Sequence, residues 1–321
     1  MKKTILAAIT AATVGLATYP VYARDNIQVT GSSTVLPYAT IVAEAFGENF
    51  GYPTPVVEGG GSGAGRKKLC EGVGETTVDI ANSSSKMKDA EYEGCAANGV
   101  TDVKEVLFGY DGIVFASDVN GAAFSLTVKD IYLALTATST ATKWSEVNPD
   151  LPDQEILVFI PGTKHGTREV FDVKVLEEGC KAVLGVEKLD DAQKKECTKV
   201  RTDGKAVDVD GDYTETLARL AANTTSVGVF GLSFYENNMD KLQVATIDSV
   251  VPTVETISTG DYPISRPLYF YVKMQHLDII PGLKEYVQFF LSDEMSGPDG
   301  ALAEYGLVPD PELAATQAEW Q

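Results

Sequence analysis

The chain has 321 residues and a mass of 34.3 kDa, enough for two domains or one large one. Hydrophobic residues at 44% and charged residues at 22% are ordinary for a globular protein, which excludes disorder, collagen and a coiled coil as the main architecture. With 26 Lys and Arg against 46 Asp and Glu, the formal charge of -20 repels nucleic acid and anionic membranes, and two histidines, His165 and His276, exclude a His-rich zinc site.

Residues 1–23 read as a secretory signal. Lys2 and Lys3 form the positive start, Ile5 to Ala17 a mostly apolar stretch, and Val21-Tyr22-Ala23 a small-residue processing site. The apolar run is too short and too interrupted for a permanent span. Cleavage is expected after Ala23, leaving 24 basic residues against 46 acidic, a net charge of -22. The dilysine start suggests a Gram-negative periplasm, and the lack of Cys at the cleavage point argues against a lipid anchor.

Downstream, Asn26–Thr30 reads as a strand, followed by the polar turn Gly31-Ser-Ser-Thr-Val-Leu-Pro37 and a helix with Ile41, Val42, Ala45 and Phe46 at helical spacing. Pro55–Glu58 is a second strand. It enters Gly59-Gly-Gly-Ser-Gly-Ala-Gly65 and a helix beginning at Arg66. Val78–Ala81 is a third, ending in Asn82-Ser-Ser-Ser85. Three repeats of strand, small polar turn and helix predict an α/β fold on a largely parallel sheet, with ligands at the carboxyl ends of the strands.

Val106–Ala116 is a long β-rich run broken by Gly109-Tyr-Asp-Gly112, and Leu126–Leu135 looks helical. Ile156–Ile160 is a strand leading into Pro161-Gly-Thr-Lys-His-Gly-Thr-Arg168, with a helix over Glu169 to Glu177 behind it. Val227–Phe230 is a strand, and Leu268–Val272 is a second long β-rich run. The two long runs are candidate crossovers between two lobes.

The four cysteines permit three disulfide pairings. The local one, Cys70–Cys95 and Cys180–Cys197, is expected in an exported chain, and each loop is worth roughly 3 kcal/mol in the chain-entropy picture. No C-x-x-C supports a thiolate metal site, and no metal or cofactor is expected.

Four turns share one chemistry: each follows a strand and offers hydroxyls and backbone N–H donors at a helix start, the usual setting for an oxyanion. Ser33, Thr34, Ser62, Ser84 and Thr167 are the candidate hydroxyls, and Arg168 is the candidate fork to two oxygens. Taken singly, each turn is equally a helix cap. Gly59, Gly61 and Ala64 with Asp79 imitate a dinucleotide fingerprint, but the periplasm holds no nicotinamide pool. The glycine run fails as a Walker loop, because Arg66-Lys67-Lys68 follows Gly65, and Gly60-Gly-Ser62-Gly-Ala64 lacks the last glycine of a nucleophile elbow. His165 reads as a loop residue or ligand contact and His276 as a surface residue or one behind the site; neither reads as a catalytic base, and no catalytic residue is expected. Asp190, Asp191, Asp208, Asp210 and Asp212 read as solvated loop acids.

In this order, Thr30-Gly-Ser-Ser-Thr-Val-Leu-Pro37, Glu58-Gly-Gly-Gly-Ser-Gly-Ala-Gly65, Val78-Asp-Ile-Ala-Asn-Ser-Ser84, Tyr110-Asp-Gly112 and His165-Gly-Thr-Arg168 resemble the motifs of the periplasmic phosphate-binding proteins of the Pst ABC uptake system. The resemblance implies a type-II periplasmic binding protein: two α/β lobes joined by two crossover strands, closing on one phosphate and delivering it to an inner-membrane ABC permease. Lobe one is expected at 24–114 plus 263–321 and lobe two at 115–262, in a monomer with no nucleic-acid partner. Carried over, the phosphate ligands are Ser33, Thr34, Val35 and Leu36 of the first turn, Ser62, Ser84, and His165, Gly166, Thr167 and Arg168 of the far turn. His165 departs from the usual serine, Pro161 and Gly162 stand where many relatives have an arginine, with Lys164 nearby, and Ser84 stands where some members place an aspartate. A carboxylate there would accept the proton of hydrogen phosphate and repel sulfate; Asp111 is the candidate to replace it, with a plain turn residue as the other reading. The alternatives are another tetrahedral oxyanion (sulfate, molybdate or arsenate), a secreted phosphatase or hydrolase, and an adhesion protein reusing the fold.

Overall fold

A computed structural model describes residues 24–163, 167–210 and 212–321. The expected signal segment lies outside these residues, as do His165 and Gly166. The first three strands are β1 (Gln28–Gly31), β2 (Val56–Gly59) and β3 (Ile80–Ser83). They are followed by β4 (Val103–Asp118), β5 (Ser125–Leu126), β6 (Val158–Pro161), β7 (Ala206–Val209) and β8 (Val227–Gly231). The last four are β9 (Leu242–Val244), β10 (Thr246–Ile247), β11 (Ser265–Lys273) and β12 (Leu307–Pro309). One curled sheet runs β2-β1-β3-β11-β4-β8-β6-β7, with β9 and β12 also on β4, while β5 and β10 pair separately.

Strands β2, β1 and β3 are mutually parallel, as are β7, β6 and β8. Buried on both faces, β6 reads VFIP and β8 VGVFG, apolar runs without alternation. The helices α1 (Leu36–Asn49), α2 (Ser62–Leu69) and α3 (Asp89–Ala97) follow β1, β2 and β3, so the strand–turn–helix units stand where the sequence puts them. The expected break at Gly109-Tyr-Asp-Gly112 does not occur: β4 is continuous for 16 residues. Its glycines are held by ladders to β11 and β12, and the disturbance is confined to a register shift opposite Leu268 and Tyr269.

Strand β4 joins two apolar cores. Phe108 belongs to one with Phe46, Phe270, Tyr286 and Phe290; Ile113 and Phe115 belong to the other with Trp144, Phe171, Val229 and Phe230. The burial pattern follows: Val103–Glu105 are half-buried, Val106 and Phe108 are buried with half-buried Leu107 between them, and burial is continuous from Asp111 to Ser117, with β8 paired to Ile113–Ser117. The helix after the far turn begins at Thr167–Val170, widens into a π-helical stretch over Phe171–Glu177, and continues through Glu178–Leu184. Both disulfides take the local pairing, Cys70–Cys95 tying the end of α2 to α3 and Cys180–Cys197 closing a hairpin of helices.

Candidate functional site

The turn after β1 is organised by Ser32, which is buried beside an exposed Ser33. The Ser32 hydroxyl accepts from the N–H groups of Thr34 (3.2 Å) and Val35 (3.4 Å), and its carbonyl accepts from Leu36 N–H (3.0 Å). The backbone N–H groups of Val35 and Leu36, expected to face a ligand, are thus held inside the turn, that of Val35 by a long bond. Glycine makes the next turn possible. A Cβ on Gly65 would stand 2.5 Å from Gly31 Cα, and one on Gly31 2.1 Å from the Asn82 carbonyl oxygen, so α2 can lie against the end of β1 only without side chains there. That approach brings Ser62 to Ser84: the Ser62 hydroxyl accepts from Ser84 N–H (3.1 Å) and lies 3.3 Å from the Ser84 hydroxyl. Arg66, buried in α2, donates to Ser83 Oγ (2.5 Å), to the Ser85 carbonyl and hydroxyl, and to Glu91 (2.9 Å). Its charge serves to hold the third turn.

On the far side, Thr167 is buried, with its hydroxyl 3.1 Å from the Tyr213 hydroxyl. Arg168 uses Nε on Asp172 (2.8 Å) and Nη1 on Asp208 (2.5 Å) and the Pro161 carbonyl (3.1 Å), and it lies against the Phe171 ring. Two carboxylates therefore already share the guanidinium expected to bind an anion. Arg168 still lines a cavity of about 590 Å³ with Ser33, Leu36, Thr163, Glu169 and Tyr305.

Between these turns stands a cluster that sequence reasoning found only in part. Asp111 and Arg266 are cross-strand partners on β4 and β11, both buried. Arg266 Nη2 donates to the Thr34 hydroxyl (2.5 Å), and that hydroxyl donates to Glu169 Oε2 (2.6 Å). Arg266 Nη1 is 3.8 Å from Glu169 Oε1, its Nε is 3.9 Å from Asp111 Oδ2, and this buried Nε has no hydrogen-bond partner. Burial pushes the Asp111 carboxyl up to about 6; Arg266 opposes the shift and Glu169 adds to it. Lys174, half-buried on the π-helical stretch, makes no ion pair among the described residues, and burial and then Arg266 lower its pKa. Ser33, Thr34, Thr167, Arg168 and Asp111 therefore converge on one region and Ser62 and Ser84 pair beside each other, while Arg266 and Glu169 were missed. A lone Arg before Pro267 at the head of a β-rich run was the available signal for Arg266, since a charge in a buried strand needs partners.

Two expectations require correction. His276 is not at the surface: it is fully buried, with Nδ1 2.6 Å from Asp79 Oδ1, while Nε2 accepts from Gly74 N–H. Asp79, also fully buried, takes Arg24 and Gln28 N–H as well, so the carboxylate collects the donors that its burial demands. Nor are all the loop acids merely solvated: Asp190 and Asp212 cap the helices Asp191–Cys197 and Tyr213–Ala222, and Asp208 holds Arg168.

Comparison with known proteins agrees with this architecture. A model of the PBP superfamily domain matches residues 18–294. Protein SphX of Synechocystis sp. is 31% identical over 304 residues, covering 92% of this chain and 81% of the relative. The phosphate-binding protein PstS of Staphylococcus haemolyticus is 29% identical over 289 residues, covering 88% and 80%. Among solved structures, a possible phosphate binding protein from Planctomyces limnophilus superposes with a TM-score of 0.71 at 27% identity, covering 92% of this chain and 96% of that one. PstS from Borrelia burgdorferi, at 21% identity and a TM-score of 0.59, shares the fold. With the family model spanning most of its length and these relatives aligned over 88–92% of it, the chain belongs to the PBP superfamily, beside the SphX and PstS proteins.

Proposed function

We propose that this protein is a periplasmic binding protein that captures inorganic phosphate between two lobes, 24–114 plus 263–321 and 115–262, and hands it to an inner-membrane ABC permease. On this reading residues 1–23 export the chain and are removed after Ala23, and the mature protein works as a monomer. The observation that carries the proposal is the bond of Thr34, in the turn between β1 and α1, to Glu169, in the helix behind the far turn, beside the buried Arg266. Hydroxyls, a helix start and a guanidinium meet there at the carboxyl ends of parallel strands, the donor set that a tetrahedral oxyanion needs. Ser33, Thr34, Val35, Leu36, Ser62, Ser84, Asp111, His165, Gly166, Thr167 and Arg168 are the proposed ligand residues. Capture and release make and break no covalent bond, so no catalytic group is assigned.

Calorimetric titration with phosphate, sulfate and arsenate, after any carried-over ligand has been removed by unfolding and refolding, tests the proposal. One-to-one phosphate binding in preference to sulfate is expected. Preference for another oxyanion, or turnover of a chromogenic phosphate ester, would refute it.

A further inference from the structure

Building on the phosphate-binding reading, we infer that Arg266 is the fixed cation of the anion site and that the Glu169 carboxylate is its internal counter-anion, displaced when phosphate binds. Arg266 is 7% exposed and carries five N–H donors, yet its one hydrogen bond among the described residues goes to Thr34. The two carboxylates beside it, Glu169 at 3.8 Å and Asp111 at 3.9 Å, balance its charge from beyond hydrogen-bond reach, and its Nε is buried without a partner. A buried guanidinium left with unused donors is costly unless something else takes them up. Arg168 differs: it has hydrogen bonds to Asp172, Asp208 and the Pro161 carbonyl. Lys174, held close enough for Arg266 to lower its pKa, adds positive potential on the same side, and the start of the 14-residue helix α1 adds more.

Glu169 is the exposed member of the cluster. Its side chain is 40% exposed, whereas Arg266 and Asp111 are fixed in paired strands. The carboxylate accepts from the Thr34 hydroxyl and faces Arg266 Nη1, so it occupies the contacts that a phosphate oxygen would make. A phosphate that accepts the Thr34 hydrogen bond and the Arg266 donors sends Glu169 toward solvent. The apparent affinity is then reduced by the fraction of molecules in which Glu169 holds the site.

The test is titration of wild type, Glu169→Gln, Glu169→Asp and Arg266→Lys with phosphate and with sulfate at one ionic strength, with the fold of each variant checked by circular dichroism. Gln loses the charge, and Asp keeps it but cannot reach Thr34. Both should bind phosphate roughly three- to ten-fold tighter than wild type and gain similarly toward sulfate. Arg266→Lys keeps a charge but loses the fork, and should weaken phosphate roughly ten-fold or more. Weaker phosphate binding in Glu169→Gln with stronger sulfate binding would make Glu169 a proton acceptor and overturn the displacement. Tightening in Gln alone would reduce the effect to charge repulsion and overturn it as well. Wild-type affinity in a folded Arg266→Lys would remove Arg266 from the site; if that variant does not fold, the two Glu169 variants decide the matter. Wild type that binds none of the anions refutes the underlying reading, whereas phosphate-binding wild type with unaltered variants refutes this inference alone.

Discussion

Asp111→Asn separates two consequences of burying one carboxyl group between the cores. Burial raises the Asp111 pKa from 3.8 to about 6, with Arg266 offsetting part of the rise and Glu169 adding to it. A rise of that size corresponds to roughly 3 kcal/mol between the protonation states. Because the folded-state value lies above the unfolded one, the folded protein holds the extra proton. Asp111 therefore costs nothing below about pH 4, and its cost grows to the full amount as pH rises through 6. Asn does not titrate. The stability of Asp111→Asn minus that of wild type, from urea unfolding in phosphate-free buffer at several pH values between 4 and 7.5, should increase by up to about 3 kcal/mol across that window. Groups that do not interact with Asp111 titrate alike in the two proteins and cancel in the difference, which reads position 111 and its immediate neighbours. A difference that stays flat, or falls with pH, would mean that the carboxyl ionises normally and that the burial argument is wrong. The same variant should weaken phosphate binding and relax the barrier to sulfate at pH 7.5, since an amide brings donors and no charge. An unchanged phosphate-to-sulfate ratio would leave Asp111 as a strand residue with no part in selectivity.

Arg168→Ala should weaken phosphate by more than Ser62→Ala, several kcal/mol against roughly 1; equal losses by calorimetry would mean that the guanidinium serves only Asp172 and Asp208. Gly65→Ala should lower stability by about 1–3 kcal/mol, because its Cβ would stand 2.5 Å from Gly31 Cα, and a shift in urea midpoint reads the effect directly. A wild-type midpoint there would show that α2 does not press on β1. Phosphate binding should depend only weakly on salt despite the acidic chain, since surface charges beyond about 8–10 Å are screened while the buried donors are not; a steep loss of affinity in moderate salt would point to a loose surface site.

The strand–turn–helix units were legible in the sequence because each is set by neighbours along the chain. Apolar strands stop at Gly and Ser, and the helical period resumes behind them, as at Gly31, Gly59 and Ser83. The local disulfides were legible for the same reason. Continuity through Gly109-Tyr-Asp-Gly112 was not, because a glycine pair reads as a turn until ladders from β11 and β12 hold it extended. His276 read as a surface residue or one behind the site because its partner Asp79 is remote in sequence, and only the fold makes the two share one buried bond. The same holds for Arg266, which reaches Thr34 across 232 positions, and for Glu169, which meets Thr34 across 135. Local pattern determines which segments form strands and helices and where hydroxyl-rich turns fall. Strand register and the contact between the two sides decide which charge stands over those turns, because a buried ion's partners are chosen by distance in space.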